Sequence, residues 1–113
     1  MLNKREIGTL MQIQKRCEKI IAKTCNITKE EFEQNDDLID LLCFNILQIG
    51  EMVGGLSDEF IDKYKEIQWR DIRGMRNRIA HGYTTIDVEV VWITCKEDIV
   101  TLKDFCQKTL ESK

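Results

Sequence analysis

The stretch Arg73–Tyr83, RGMRNRIAHGY, contains the only histidine of the chain, His81. Arg70, Arg73, Arg76 and Arg78 precede it, and Tyr83 follows two residues later. An imidazole titrating near neutrality can move protons at an attacking or a leaving oxygen. A guanidinium can hold the charge that develops on phosphoryl oxygens. An amide such as Asn77 can orient the imidazole or the phosphate. Together these residue types suit phosphodiester cleavage without a metal ion, in which an RNA 2′-hydroxyl attacks the neighbouring phosphorus. One histidine cannot readily be both acid and base, whereas two copies across a dimer can. The same residues also fit a solvated helix face that ends in a histidine complementing the helix dipole.

The element that must position them reads as a helix from Trp69 to His81, with Gly82 placed to end it. At about 100° per residue, Trp69, Ile72, Met75 and Ile79 fall on one side and form its core face. Asn77 and His81 lie four apart on a polar face shared with Arg70 and Arg73. Arg76 sits at the edge of the apolar face, where a charged side chain needs a partner or a wet cleft. Glu51, in QIGEM, is a candidate carboxylate for it. Arg76 and His81 are five apart, about 140° around a straight helix. Their head groups converge if the arginine bends across the groove, if the helix ends near His81, or if the two come together across a dimer interface. Gly74 reads as a point of close helix packing, and Tyr83 as an aromatic beside the helix end.

The other elements follow from periodicity. Ile7, Leu10, Cys17, Ile20, Ile21 and Thr24 make a helical stripe from about Asn3 to Thr24. Thr28 and Glu31 form a capping box that opens a short turn or helix around Phe32. Leu38, Leu41, Leu42, Ile46, Ile49 and Val53 make the second long stripe, which ends at Gly54-Gly55. Ser57, ahead of Asp58 and Glu59, starts a short helix through Tyr64. IDVEV, residues 86–90, alternates like a strand. Over a longer window, Val88, Trp92, Cys95, Ile99, Leu102, Cys106 and Thr109 keep helical steps. A lone strand would have no sheet to join, so the segment is expected to be helical. The expected fold is an all-α bundle of four main helices plus a short one, in a single domain over 1–113.

Composition narrows the function classes. The formal charge is −3, yet residues 63–81 carry six basic residues against Glu66 and Asp71. An acidic chain does not attract nucleic acid as a whole, but a local basic patch does, within roughly 8–10 Å. Five cysteines without C-x-x-C spacing, beside one histidine, give little support to a zinc site, and most fall on apolar stripes as buried thiols. No metal or cofactor is expected. No apolar run approaches the ~18 residues of a membrane span. MLNKREIGTL has no apolar signal region, so a cytoplasmic protein is expected.

WRDIRGMRNRIAHGY followed by IDVEVVW resembles the HepT-like group of HEPN-domain proteins. That group's motif is arginine, four residues, histidine, any residue, tyrosine, matched here by Arg76, His81 and Tyr83 with Asn77 after the arginine. NILQIGE, residues 45–51, is similar to the family's second-helix signature. The stretch before the tryptophan is EIQW, where the family usually carries a proline. The resemblance implies a homodimeric all-α HEPN bundle and a metal-independent RNA endonuclease, with Arg76 and His81 of two subunits lining one cleft. It implies a toxin whose partner is a minimal nucleotidyltransferase antitoxin, which can transfer AMP to Tyr83. Two other readings stand beside it. One is a non-catalytic HEPN subunit that docks a nucleotidyltransferase and helps to bind its substrate; the other is a bundle used only for assembly.

Overall fold

The computed structural model describes residues 2–81 and 85–112, and for residues 76–81 and 85 it describes the backbone path only. The chain runs α1 (Lys4–Thr24), α2 (Lys29–Glu33), α3 (Asp36–Gly54), α4 (Asp58–Lys63), α5 (Trp69–Ile79), β1 (Ala80–His81), β2 (Thr85–Ile86), α6 (Val88–Ile93), a π-helical turn (Thr94–Asp98) and α7 (Ile99–Glu111). The architecture is the expected all-α bundle. Its main members are α1, α3, α5 and the continuous last helix formed by α6, the π turn and α7. Two short helices, rather than one, join them.

Side-chain caps fix where the helices start. The Asn3 side-chain oxygen accepts from the Glu6 amide at 2.8 Å, and the Glu6 carboxylate accepts from the Asn3 amide at 3.1 Å. Thr28 and Glu31 make the same reciprocal pair at the start of α2. Asn35, Ser57 and Asp87 each satisfy one amide at the starts of α3, α4 and α6. Each such cap is worth about 1 kcal/mol.

The apolar stripes meet in one core. α1 packs on α7 and α3, and α3 packs on α5. Leu10, Ile13, Cys17 and Ile20 of α1 are fully buried, as are Leu42, Ile46, Ile49 and Val53 of α3. On α5, Trp69, Ile72 and Met75 are buried as the periodicity requires; the side chain of Ile79 lies outside the described residues. The Trp69 indole donates to the Tyr64 carbonyl at 2.7 Å and packs edge-on against Phe60 and Phe105. This aromatic cluster pins the start of α5 to α4 and α7. The last helix is tied to the C-terminus of α1 by Lys96, whose ammonium donates to the Thr24 carbonyl at 3.2 Å and lies over the Trp92 ring. Lys29 bonds Glu89 at 3.0 Å, joining α2 to α6.

Five expectations need correction. The α5 helix stops at Ile79, and Ala80-His81 pairs antiparallel with Thr85-Ile86, Ala80 opposite Ile86 and His81 opposite Thr85. The alternation around Ile86 therefore does mark extended chain for two residues, because the end of α5 supplies a partner strand. Helix resumes only after the Asp87 cap. The last helix is not regular throughout, since the turn at Thr94–Asp98 is π. Leu41 is exposed rather than part of the core stripe. Gly74 meets open space, not a close neighbour; the α5 backbone approaches a glycine instead at Gly50, whose absent Cβ would lie 3.8 Å from the Ile72 carbonyl oxygen.

Candidate ribonuclease site

The residues singled out by type and spacing gather at the C-terminal half of α5 and just beyond it. Arg76, Asn77 and Arg78 occupy the last turns of α5, and His81 the short strand that follows. The side chains of these four lie outside the described residues, as does the whole of Tyr83 and of Gly82. The backbone nevertheless answers one geometric question. Because the helix ends two residues before His81, the 140° that separates it from Arg76 on a continuous helix does not apply.

Arg70 and Arg73 lie on the solvent side of α5, opposite its buried Trp69–Ile72–Met75 face. Arg73 stands between two clefts. One, of about 440 Å³, is lined by Gly50, Glu51, Gly54 and Gly55 of α3 and its end together with Arg73. The other, of about 360 Å³, is lined by residues of α4, the connection after it and α5, including Lys65, Arg70 and Arg73. Three cations against one acid, Asp62, on the wall of an open groove leave a local positive excess that the net charge of −3 does not disclose. Glu51 thus shares a cleft with Arg73, one helical turn before Arg76.

One polar cluster was not foreseen. Asn45 of α3 is only 2% exposed. Its amide donates to the Leu41 carbonyl at 2.8 Å and its oxygen accepts from the Arg16 guanidinium at 2.9 Å. Arg16 also lies 5.7 Å from the centre of the Phe44 ring, a cation–π distance. A buried amide that pays its desolvation through a guanidinium fixes α1 against α3 and holds that arginine in one place. The available signal was polar Asn45 inside an apolar helical stripe.

The cysteines behave as expected of small core hydrophobes. Cys17, Cys43, Cys95 and Cys106 are buried and Cys25 is exposed; all five are free thiols. Burial pushes Cys43 up to about 11 and Cys95 and Cys106 up to about 12. It raises Cys17 further still, with the neighbouring Cys106 adding to the effect. Neutral thiols of this kind are poor nucleophiles and poor metal ligands. Among the described residues, no helix is long and apolar enough to cross a membrane.

Comparison with known proteins decides the family. The family model for "Ribonuclease HepT-like" matches residues 13–109. The chain belongs to the HepT-like ribonuclease family. Its enzyme class is accordingly endoribonuclease. A relative from Thermococcus cleftensis named "Probable ribonuclease HepT" is 35% identical over 88 residues, covering 70% of this chain and 80% of its own length. A provisionally named RNase of Caldanaerobacter subterraneus subsp. tengcongensis is 28% identical over 104 residues, covering 92% and 93%. Another provisionally named RNase, from Methanocaldococcus jannaschii, is 30% identical over 109 residues, covering 96% and 90%. No solved structure matches the chain. The matched span contains α3, the whole of α5 and the segment from Arg76 to Tyr83.

Proposed function

We propose that this HepT-like protein is a metal-independent RNA endonuclease that acts as the toxin of a toxin–antitoxin pair. The RNA 2′-hydroxyl attacks the adjacent phosphorus. His81 moves a proton at the attacking or leaving oxygen, Arg76 holds the charge on the phosphoryl oxygens, and Asn77 orients the imidazole or the phosphate. Arg70, Arg73 and Arg78 bind flanking phosphates, and Glu51 supports Arg76 from the α3 side. The cognate partner is a minimal nucleotidyltransferase, which silences the toxin by placing AMP on Tyr83.

The observation that carries the catalytic part is the end of α5 at Ile79, on the helix whose first turns line a groove with Asp62, Lys65, Arg70 and Arg73. A histidine on extended chain just past an arginine-bearing helix end is free of the helical spacing that would otherwise keep it from Arg76. With one histidine per chain, the complete acid–base pair requires a second copy. Strand β2 and the last helix offer exposed apolar side chains for it. Ile86 of β2, Ile93 of α6 and Val100 of α7 are apolar and 37%, 44% and 37% exposed. Ile86 pairs with Ala80 in the ladder next to His81, so a two-fold contact that includes Ile86 would set two motif segments side by side.

The test is cleavage of RNA by purified protein in the presence of a chelator, with a 2′-deoxy linkage as the control substrate. Cleavage that persists in chelator, stops at the 2′-deoxy linkage and disappears in His81→Ala supports the reading. Wild-type protein that leaves RNA intact, or an alanine variant as active as wild type, removes it.

A further inference from the structure

The functional reading leaves unused a second positively charged surface, on the far side of α3 from the Arg73 clefts. Arg5, Gln12, Arg16, Lys19 and Lys23 of α1 fall within about 60° of arc on the helix and extend over roughly 27 Å. Arg5, Gln12, Lys19 and Lys23 are exposed and Arg16 is half-buried. The acids of α1 lie elsewhere: Glu6 is committed to the Asn3 capping box, and Glu18 is on the opposite side, bonded to Gln14. Arg16 fixes where this stripe runs, because its bond to Asn45 places it along the edge of α3.

The neighbouring edge and crest of α3 carry Asp37 near its start, then Leu41, Phe44 and Gln48. Phe44 is 52% exposed, with the Arg16 guanidinium 5.7 Å from its ring centre. On the same outward ridge, Glu51 lies two turns further on, roughly 10 Å away, and there it lines the cleft with Arg73. A basic stripe, an exposed ring held beside a guanidinium and the candidate catalytic cleft therefore follow one another across the surface. Cations that track a phosphate chain, interrupted by an aromatic platform, are the arrangement that binds single-stranded nucleic acid with little sequence preference.

We propose that the α1 stripe and Phe44 form an RNA track: phosphates of the single-stranded substrate lie along Arg5, Arg16, Lys19 and Lys23, and one base stacks on Phe44 before the strand enters the Arg73 cleft. This rests on the ribonuclease reading for the identity of the nucleic acid. It adds a binding surface on a different helix from the motif. Charge complementarity selects a polyanion over a second apolar surface as the occupant, since the edge of α1 that faces Phe44 carries Arg5, Arg16, Lys19 and Lys23 and neither acid of that helix.

The probe is a fluorescently labelled 2′-O-methyl RNA of mixed sequence, which binds but lacks the attacking hydroxyl, titrated at several salt concentrations. Lys19→Gln/Lys23→Gln should reduce the slope of log affinity against log salt by about 1.4, from two lost phosphate contacts on a single strand. Lys103→Gln/Lys108→Gln on α7 should leave the slope unchanged. Phe44→Leu keeps an apolar side chain but not the ring, and should weaken binding roughly tenfold. Equal effects of the two lysine pairs, or unchanged affinity in the α1 pair and in Phe44→Leu, would overturn the track. So would a Phe44→Leu variant that sediments as a smaller species, which would make this face an interface between copies. Wild type that binds the probe but does not cut unmodified RNA would remove the catalytic reading and leave the track standing.

Discussion

The indole of Trp69 is where the fold most directly supports the motif, so Trp69→Phe is an informative perturbation. The ring is 5% exposed, bonds the Tyr64 carbonyl at 2.7 Å, and has its centre 5.8 Å from that of Phe60 and 5.4 Å from that of Phe105. Phenylalanine retains a ring but loses the N–H and leaves a gap where the second ring stood. The unmade bond costs about 1 kcal/mol and the unfilled volume about 1–2 kcal/mol more, since the surroundings relax only partly. For a domain of this size about 1 kcal/mol moves the melting midpoint by roughly 4 °C, so a fall of roughly 8–12 °C is expected. The assay is thermal unfolding followed at 222 nm, beside Trp92→Phe as a control. Trp92 is only half-buried and packs on Phe32 at 5.2 Å, so its replacement should shift the midpoint by less. RNA cleavage well below the midpoint should also fall in Trp69→Phe, because α5 loses the anchor of its first turn. A shift under about 3 °C, or a larger shift from Trp92→Phe, would refute the view that this bond and cluster hold α5 in place.

Arg76→Lys should lose most cleavage although charge is kept, because lysine cannot present a planar fork to phosphoryl oxygens; wild-type rates in this variant would remove the bidentate role. Ile93→Asp/Val100→Asp should convert a dimer to a monomer in sedimentation at micromolar concentration and abolish cleavage together with it, and an active monomer would exclude the shared cleft. Tyr83→Phe should gain no AMP, read by intact mass after incubation with the cognate nucleotidyltransferase and ATP, and equal labelling of wild type and variant would place the acceptor elsewhere. Stability to urea should fall as pH rises above about 9. The buried thiols have folded-state values raised above 9.0, so their contribution is complete below 9 and is lost as the pH climbs towards 11 to 12. Each thiol contributes up to about 1.4 kcal/mol per pH unit in that window, and Cys106→Ala should make the decline shallower.

The long helices were legible because burial on one side imposes a 3.6-residue period, and the two short ones because Thr28 and Ser57 announce their starts with side chains that can cap. Two other features left weaker traces. The π turn at Thr94–Asp98 is not marked by glycine or proline, and it preserves enough of the three- and four-residue steps to look regular. The Arg16–Asn45 bond joins positions 29 apart, so neither residue's local spacing reveals the other. At the site, types and spacing identified the arginines and the histidine, but the end of the helix could not be fixed to Ile79. Gly82 suggested a stop at His81, whereas the pairing of Ala80 and His81 with Thr85 and Ile86 takes over two residues sooner. That pairing is a tertiary choice between continuing helical bonds and closing a ladder, and it depends on a strand-prone segment several residues away.

The early end of α5 has a consequence for how a small bundle could hold a reactive segment. Inside a helix, Arg76 and His81 would be locked to one spacing by the same bonds that stabilise the core face of Trp69, Ile72 and Met75. Placing the histidine on a two-residue ladder separates the two demands. The arginine keeps the rigidity of a helix buried along one side, while among the described residues the histidine strand is held by the pairs Ala80–Ile86 and His81–Thr85. A ladder so short is marginal by itself. Its proposed neighbours, Ile86, Ile93 and Val100 of a second copy, would supply the burial that it lacks. On this argument dimer formation and strengthening of the Ala80–Ile86 ladder are one event. Amide hydrogen exchange at Ala80, His81, Thr85 and Ile86 should then slow as protein concentration rises through the dimerisation range, while exchange in the α1 and α3 cores stays constant. Concentration-independent exchange at those four amides would show that the ladder owes nothing to the second copy.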